Sequence, residues 1–250
     1  MIQIPFRRLF LLTILLQCAF FISYAQQNLF NVPTSDITEE KKLFFQQQFN
    51  LTGDVVQFNT TFSYGLGHNW EVGVNLIGLN VNTTSLGPRF LTNNNSSTLP
   101  YSPFYTFNVQ KAFQLNKIFK LAIGTQTGIA IGGNFGSYIY SNLVSIIPRT
   151  RTKLMTGFYW GSDSFLGEED RHLVVSDSPI GTQVGLEQPI FGDRLSLIAE
   201  NISGKHTLGE TSLGGAWRFT KHWVWSTAWQ FPNYHGRSAE ALVIELTYIP

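Results

Sequence analysis

From residue 43 to the C-terminus, apolar residues alternate with small or polar ones, segment after segment, at a period of two. Successive side chains of an extended strand point to opposite faces, so this pattern makes strands with one apolar and one polar face. In "WVWSTAWQF" the rings of Trp223, Trp225, Trp229 and Phe231 share one face, opposite Val224, Ser226, Ala228 and Gln230. In "VVQFNTTFSYGL" Val56, Phe58, Phe62 and Tyr64 oppose Gln57, Asn59, Thr61 and Ser63. Helical periodicity is nearly absent. The one helix candidate is "SDITEEKKLFF", where Asp36 can cap and Glu39 follows three residues later; it reads as a short helix or turn before the first strand.

Twelve segments carry the alternation, beginning near residues 43, 55, 70, 103, 118, 138, 152, 179, 194, 211, 223 and 240. Their connections differ by parity. Even-numbered ones ("GHN", "LNK", "PRTR", "GDR", "TKH") are tight and polar, as hairpin turns are, while the odd-numbered ones are mostly longer. The first, "TGD", is short and breaks the rule. Short turns at one end and longer loops at the other are the layout of a transmembrane barrel. An even strand count puts both termini at the turn end, and strands of about 10 residues suit a tilted bilayer span.

Two architectures compete for the apolar faces. In a soluble sandwich they turn inward, and the outer faces must carry charge. Here charged residues are 13% of the chain, against about 25% in an ordinary soluble domain. The polar faces are mostly Gly, Ser, Thr, Asn and Gln, which suits a wet, confined lumen. The aromatic residues Trp70, Phe113, Phe119, Phe191, Phe219 and Trp223 lie within a few residues of the short turns. Rings gathered at strand ends are expected at a membrane–water interface, and a sandwich core gives no reason for them. The expected fold is therefore all-β: an antiparallel transmembrane barrel of about twelve strands, with short periplasmic turns and longer outer loops.

The N-terminus fits that destination. A basic head, "MIQIPFRR", precedes the apolar "LFLLTILLQCAFFI" and then "SYA", the layout of a secretory signal cleaved after Ala25. This divides the chain into a signal over 1–25, a short periplasmic segment over 26–42 and the barrel over 43–250. Cys18, the only cysteine, falls within the signal behind Gln17, which is too large for a lipidation site, so the mature chain carries no thiol or disulfide chemistry. Removing Arg7 and Arg8 leaves 15 basic residues (17 − 2) against 16 acidic ones, a net of −1, which gives no reason to expect nucleic acid.

Signal, alternating strands, short turns and the terminal "LVIELTYIP" resemble a Gram-negative outer-membrane β-barrel. The Gly- and aromatic-rich "NWEVGVNLIG" and "LAIGTQTGIAIGG" are loosely similar to porin-like and phenol-degradation (MetA-pathway) barrels. The resemblance implies outer-membrane lipid, lipopolysaccharide and the barrel-assembly machinery as surroundings. Such barrels often end on an aromatic residue, whereas here Tyr248 is followed by Ile249 and Pro250.

Charges on the polar phase are the site candidates: Glu71, Lys120, Glu187, Glu200, Arg218 and Glu245. They can pair to stiffen the barrel, for example Arg218 with Glu200 on neighbouring strands, or line a path and select ions. Inward Gly73, Gly124, Gly128, Gly185 and Gly214 leave space, so the expectation is a narrow passive channel for small solutes, partly plugged by residues 26–42 or by an inward loop. The alternative is a non-conducting barrel that acts as a scaffold or binds through its loops. A lipid-hydrolase barrel is less favoured: His68 and His222 fall in turns, His172, His206 and His235 in outer loops, and G-x-S-x-G is absent. The acidic stretch "GSDSFLGEEDRH" (Asp163, Glu168, Glu169, Asp170, His172) lacks the order of a calcium loop, so no metal is assigned. Phosphate and dinucleotide motifs are missing too, so no cofactor is expected.

Overall fold

The computed structural model describes residues 28–84, 87–94, 100–167, 179–235 and 237–250. The signal with Cys18, and Glu168, Glu169, Asp170 and His172 of the acidic stretch, lie outside these residues.

The strands run β1 (Leu43–Leu51), β2 (Val55–Gly67), β3 (Trp70–Asn82), β4 (Arg89–Leu91), β5 (Phe104–Gln114), β6 (Phe119–Ala130) and β7 (Phe135–Ile147). They continue with β8 (Thr152–Gly161), β9 (Ile180–Phe191), β10 (Leu195–Ile202), β11 (Glu210–Arg218), β12 (Trp223–Pro232) and β13 (Ala241–Tyr248). Each pairs antiparallel with its neighbour in sequence, except that β3 pairs with β5 as well as with the short β4 in the loop between them. β1 closes on β13, with Phe45 opposite Tyr248 and Leu51 opposite Leu242. Twelve strands thus form a closed antiparallel barrel, and β4 lies outside the ring. Closure gives every strand two neighbours and leaves no sheet edge, the condition for strands to lie in lipid.

Strand boundaries follow the sequence pattern closely; β7 starts at Phe135, three residues before the expected 138, which shortens the loop before it. The turn between β2 and β3 shows why such connections can be short. His68 and Asn69 both take positive φ, 52° and 61°, as a two-residue turn with the twist of the flanking strands requires. Of the short helix or turn expected before the first strand, the turn forms: Lys42 N–H donates to Glu39 O (3.0 Å) and Lys41 takes a φ of 62°. Residues 36–39 form no helix and Glu40 is bridged to Gly65 of β2, because the strand ladder and lumen claim the groups a helix would pair internally. Among the described residues a helix forms at α1 (Asp163–Leu166), which packs Phe165 and Leu166 against the inner wall at the loop end.

Alternation sorts the faces as expected. Val74, Phe158 and Phe191 are 54%, 65% and 73% exposed on the outside, while Gln183 and Glu245 on the inside are 0% exposed. A continuous apolar outer surface of this size would be an aggregation surface in water and is a lipid-facing one in a bilayer. Replacing outward Leu213 by Arg is therefore expected to cost about 2–4 kcal/mol in urea titration of the bilayer-inserted barrel. Thr61→Arg, which places the same charge inside, costs far less.

Candidate functional site

The lumen is not empty. Residues 28–38 enter it at the turn end, run up the interior, and fold back through a bridge between Asn28 and Pro33. Leu29, Phe30, Val32, Pro33, Thr34, Ser35 and Thr38 are buried. The walls hold this segment from all sides. Glu71 on β3 and Glu200 on β10 stand on diametrically opposite strands, six apart either way round the ring of twelve.

Glu200 makes the upper clasp. Its two carboxylate oxygens accept the backbone N–H groups of Phe30 (3.1 Å), Asn31 (2.9 Å) and Val32 (3.1 Å). Consecutive N–H groups converging on one anion form a nest, and these charge-assisted bonds are the strong kind. Asn31 is held further by Gln48 Nε2 (3.1 Å) and donates its own Nδ2 to Glu210. In the middle, Asn142 Nδ2 donates to Pro33 O (2.6 Å) and Gln110 Nε2 to Thr34 O (3.1 Å). These carbonyls would otherwise be buried without partners, at about 1–3 kcal/mol each.

The lower clasp is ionic. Asp36 sits between Lys120 on β6 (3.3 Å) and Lys153 on β8 (3.2 Å), and Lys153 also pairs with Glu187 on β9 (3.3 Å). Burial alone would raise the Asp36 carboxyl, but the ammonium groups of Lys153 and Lys120 outweigh it and hold its pKa below the ordinary value. Below this cluster, Glu71 accepts from the N–H (2.7 Å) and hydroxyl (2.5 Å) of Thr38.

Four of the six charges singled out from the sequence, Glu71, Lys120, Glu187 and Glu200, therefore belong to the seat of the N-terminal segment. Glu245 is buried too, bonded by Thr247 Oγ1 (3.0 Å). Arg218 is placed elsewhere. The register sets Glu200 opposite Ser212, near the start of β11, whereas Arg218 ends that strand and donates to Lys221 O (3.4 Å) in the turn. The suggested Arg218–Glu200 pair does not form, since the strand's length separates them. Sequence reading missed Lys153, Asp36 and Glu210. Lys153 shares the inward phase with Met155 and Tyr159, whose size hid that phase, and Asp36 was read as a helix cap.

The small inward residues also have occupants. A side-chain carbon at Gly124 would strike the Tyr140 ring, and one at Gly185 would strike Leu29 of the segment. Leu29, Phe30 and Val32 join Met155, Ile198, Ile202, Ala216, Val224 and Val243 in an apolar cluster inside the barrel. Burying each large side chain contributes about 1.5–3 kcal/mol. Gly124 and Gly185 thus make room for packing, while at Gly73, Gly128 and Gly214 the nearest neighbour is the backbone of the adjoining strand.

Above the segment the lumen stays open as a cup of about 550 Å³ at the loop end, floored by Asn28, Phe30 and Asn31. Beside its rim, His206 fastens the loop between β10 and β11. Leu208 N–H donates to Nδ1 (3.2 Å), so the ring proton sits on Nε2, which faces the Tyr159 hydroxyl at 2.5 Å. That hydroxyl in turn donates to Ser203 O (2.6 Å). Among the described residues no serine hydroxyl bonds a histidine ring, the pairing a hydrolase would need; His222 Nδ1 meets Ile249 O (2.9 Å).

The outer aromatic residues are placed as follows. Trp70, Phe113, Phe119, Phe191 and Phe219 are exposed near the turns. Trp223 is half-buried, its ring 5.2 Å from that of Tyr248.

No family model matches the sequence, and no curated protein matches it. Among solved structures, the NanC porin in a rhombohedral crystal form matches with a TM-score of 0.53 at 10% identity, over 84% of this chain and 100% of that one. The chain shares the porin fold. At that identity the likeness is one of architecture, and the segment, its clasps and the cup are read from this chain's own residues.

Burial lowers the His206 pKa from 6.5 to about 4, so the ring is neutral at pH 7. A base with a depressed folded value binds fewer protons than in the unfolded chain, so its contribution is complete above about pH 6.5 and is lost as pH falls toward 4. Thermal unfolding is expected to show this loss over that window, and His206→Gln to flatten it. Nitrogen NMR at pH 5.5 is expected to show the Nε2–H tautomer.

Proposed function

We propose that this protein is a channel for small solutes in the outer membrane of a Gram-negative bacterium, closed at rest by residues 28–38. The observation that carries the reading is the seat itself: inward charges grip a separate stretch of chain, through bonds that can break without breaking the wall. The porin-type fold and the apolar outer surface support the location, as does a signal cleaved after Ala25. The exposed rings of Trp70, Phe113, Phe119, Phe191 and Phe219, with Trp223, serve as the interface girdle on the periplasmic side. Outer-membrane lipid, lipopolysaccharide and the assembly machinery are its surroundings. The likeness to phenol-degradation barrels rests on strand texture alone and assigns no solute. Passive passage, without turnover, is the activity proposed.

The apolar cluster inside the barrel favours a second reading, a non-conducting barrel whose filled lumen stiffens it. Single-channel recording in planar bilayers separates the two. The intact protein is expected to conduct little, and a variant lacking residues 28–37 to conduct steadily. Silence from that variant, inserted and heat-modifiable on a gel, would establish the filled scaffold instead. A milder change, Glu200→Ala, leaves three buried N–H groups without their anion and is expected to weaken the seat by roughly 3–5 kcal/mol, seen as frequent brief openings.

A further inference from the structure

The cup above the segment has walls of unusual chemistry. Twelve of the described residues lining it carry carboxamides, among them Gln57, Asn59 and Asn80 on β2 and β3, Gln126 on β6 and Gln230 on β12. Only Glu210 and Arg237 among them carry charge; the two are of opposite sign, and Glu210 is already engaged by Asn31. Aromatic residues Tyr101, Phe104, Tyr138 and Phe165 add an apolar side. Among the described residues nothing donates to the wall's Gln230 Oε1, although the residue is only 5% exposed.

We infer that the cup binds a neutral, polyhydroxylated solute, a saccharide of one to three units. A carboxamide offers a donor and an acceptor side by side, which matches a hydroxyl that both donates and accepts. An anionic ligand would call for several cations where the cup has Arg237 alone, and a cationic one for free carboxylates. Sugar rings present C–H faces as well as hydroxyls, suiting a pocket with an aromatic side and several converging polar groups. The volume lies within the range of small-molecule sites. The site is complete with the segment seated, since Asn28, Phe30 and Asn31 form its floor, and it does not require that the segment move.

Isothermal titration of the full protein in detergent tests this. The panel is neutral mono-, di- and trisaccharides of gluco, galacto and manno configuration, with digalacturonate as the acidic counterpart. A neutral sugar is expected to bind with a Kd on the order of 0.1–1 mM, with little dependence on salt because no ion pair forms. Gln230→Leu and Gln126→Leu should each weaken it by roughly fivefold to twentyfold, with heat-modifiable migration unchanged. No heat from any neutral sugar would overturn the inference. So would tighter, salt-sensitive binding of digalacturonate, or unchanged affinity in both leucine variants. Conductance of the variant lacking residues 28–37 is read separately, so a barrel that conducts without binding sugar removes the saccharide site and leaves the channel.

Discussion

Everything in this molecule depends on the ladder between β1 and β13. In hydrocarbon an unpaired backbone N–H or C=O costs several kcal/mol, so a sheet of apolar outer face can exist there only if its first and last strands find each other. Phe45 to Leu51 opposite Tyr248 to Leu242 complete that pairing. Once the ring is closed, the inner face is set by default: whatever points inward is confined, shielded from lipid and close to every other wall. That confinement lets Glu71 and Glu200, far apart in sequence and on opposite sides of the ring, act on the same short stretch of chain.

Confinement also changes what a charge is worth. On an open surface the pair between Asp36 and Lys153 would contribute little, since water and salt screen it. Inside, each group needs a partner, and removing one leaves the others costly. The Glu200 nest and the Asp36 cluster share that property, with the neutral amides of Asn142 and Gln110 between them. The segment is fixed at two charged points and carried between them by amide–carbonyl bonds. The cup above is built from amides as well, and so its inner surface stays nearly neutral beside a strongly charged seat.

The barrel was legible in the sequence because strand alternation is local and repeats. Each strand shows its own two faces, and the connections show which end is which. The interior was less legible, for two reasons. Inward positions here mix polar residues with Met155, Ile198, Val224 and Val243, so phase alone does not reveal that part of the lumen is packed. Partner choice inside a barrel depends on register and on what occupies the axis. Arg218 and Glu200 share a phase on adjacent strands, yet β11's length keeps them apart, while Glu200 meets backbone groups no side-chain pattern could announce. Asp36 was visible as a residue and misread as a cap, because a short polar segment before a strand looks the same whether it coils outside or lies within.

The placement of residues 28–38 immediately before β1 bears on how the barrel can be made. β1 is the first strand and its closing partner β13 the last, so the ring cannot close until the C-terminal strand is in place. Until then the interior is open along its whole side. The segment can settle against Glu200 and Asn142 laterally, like a hand laid in an unbuttoned glove, and the last strand then shuts it in. Nothing has to be threaded through a finished pore, and the order of the chain itself makes the occupant arrive before the door is closed.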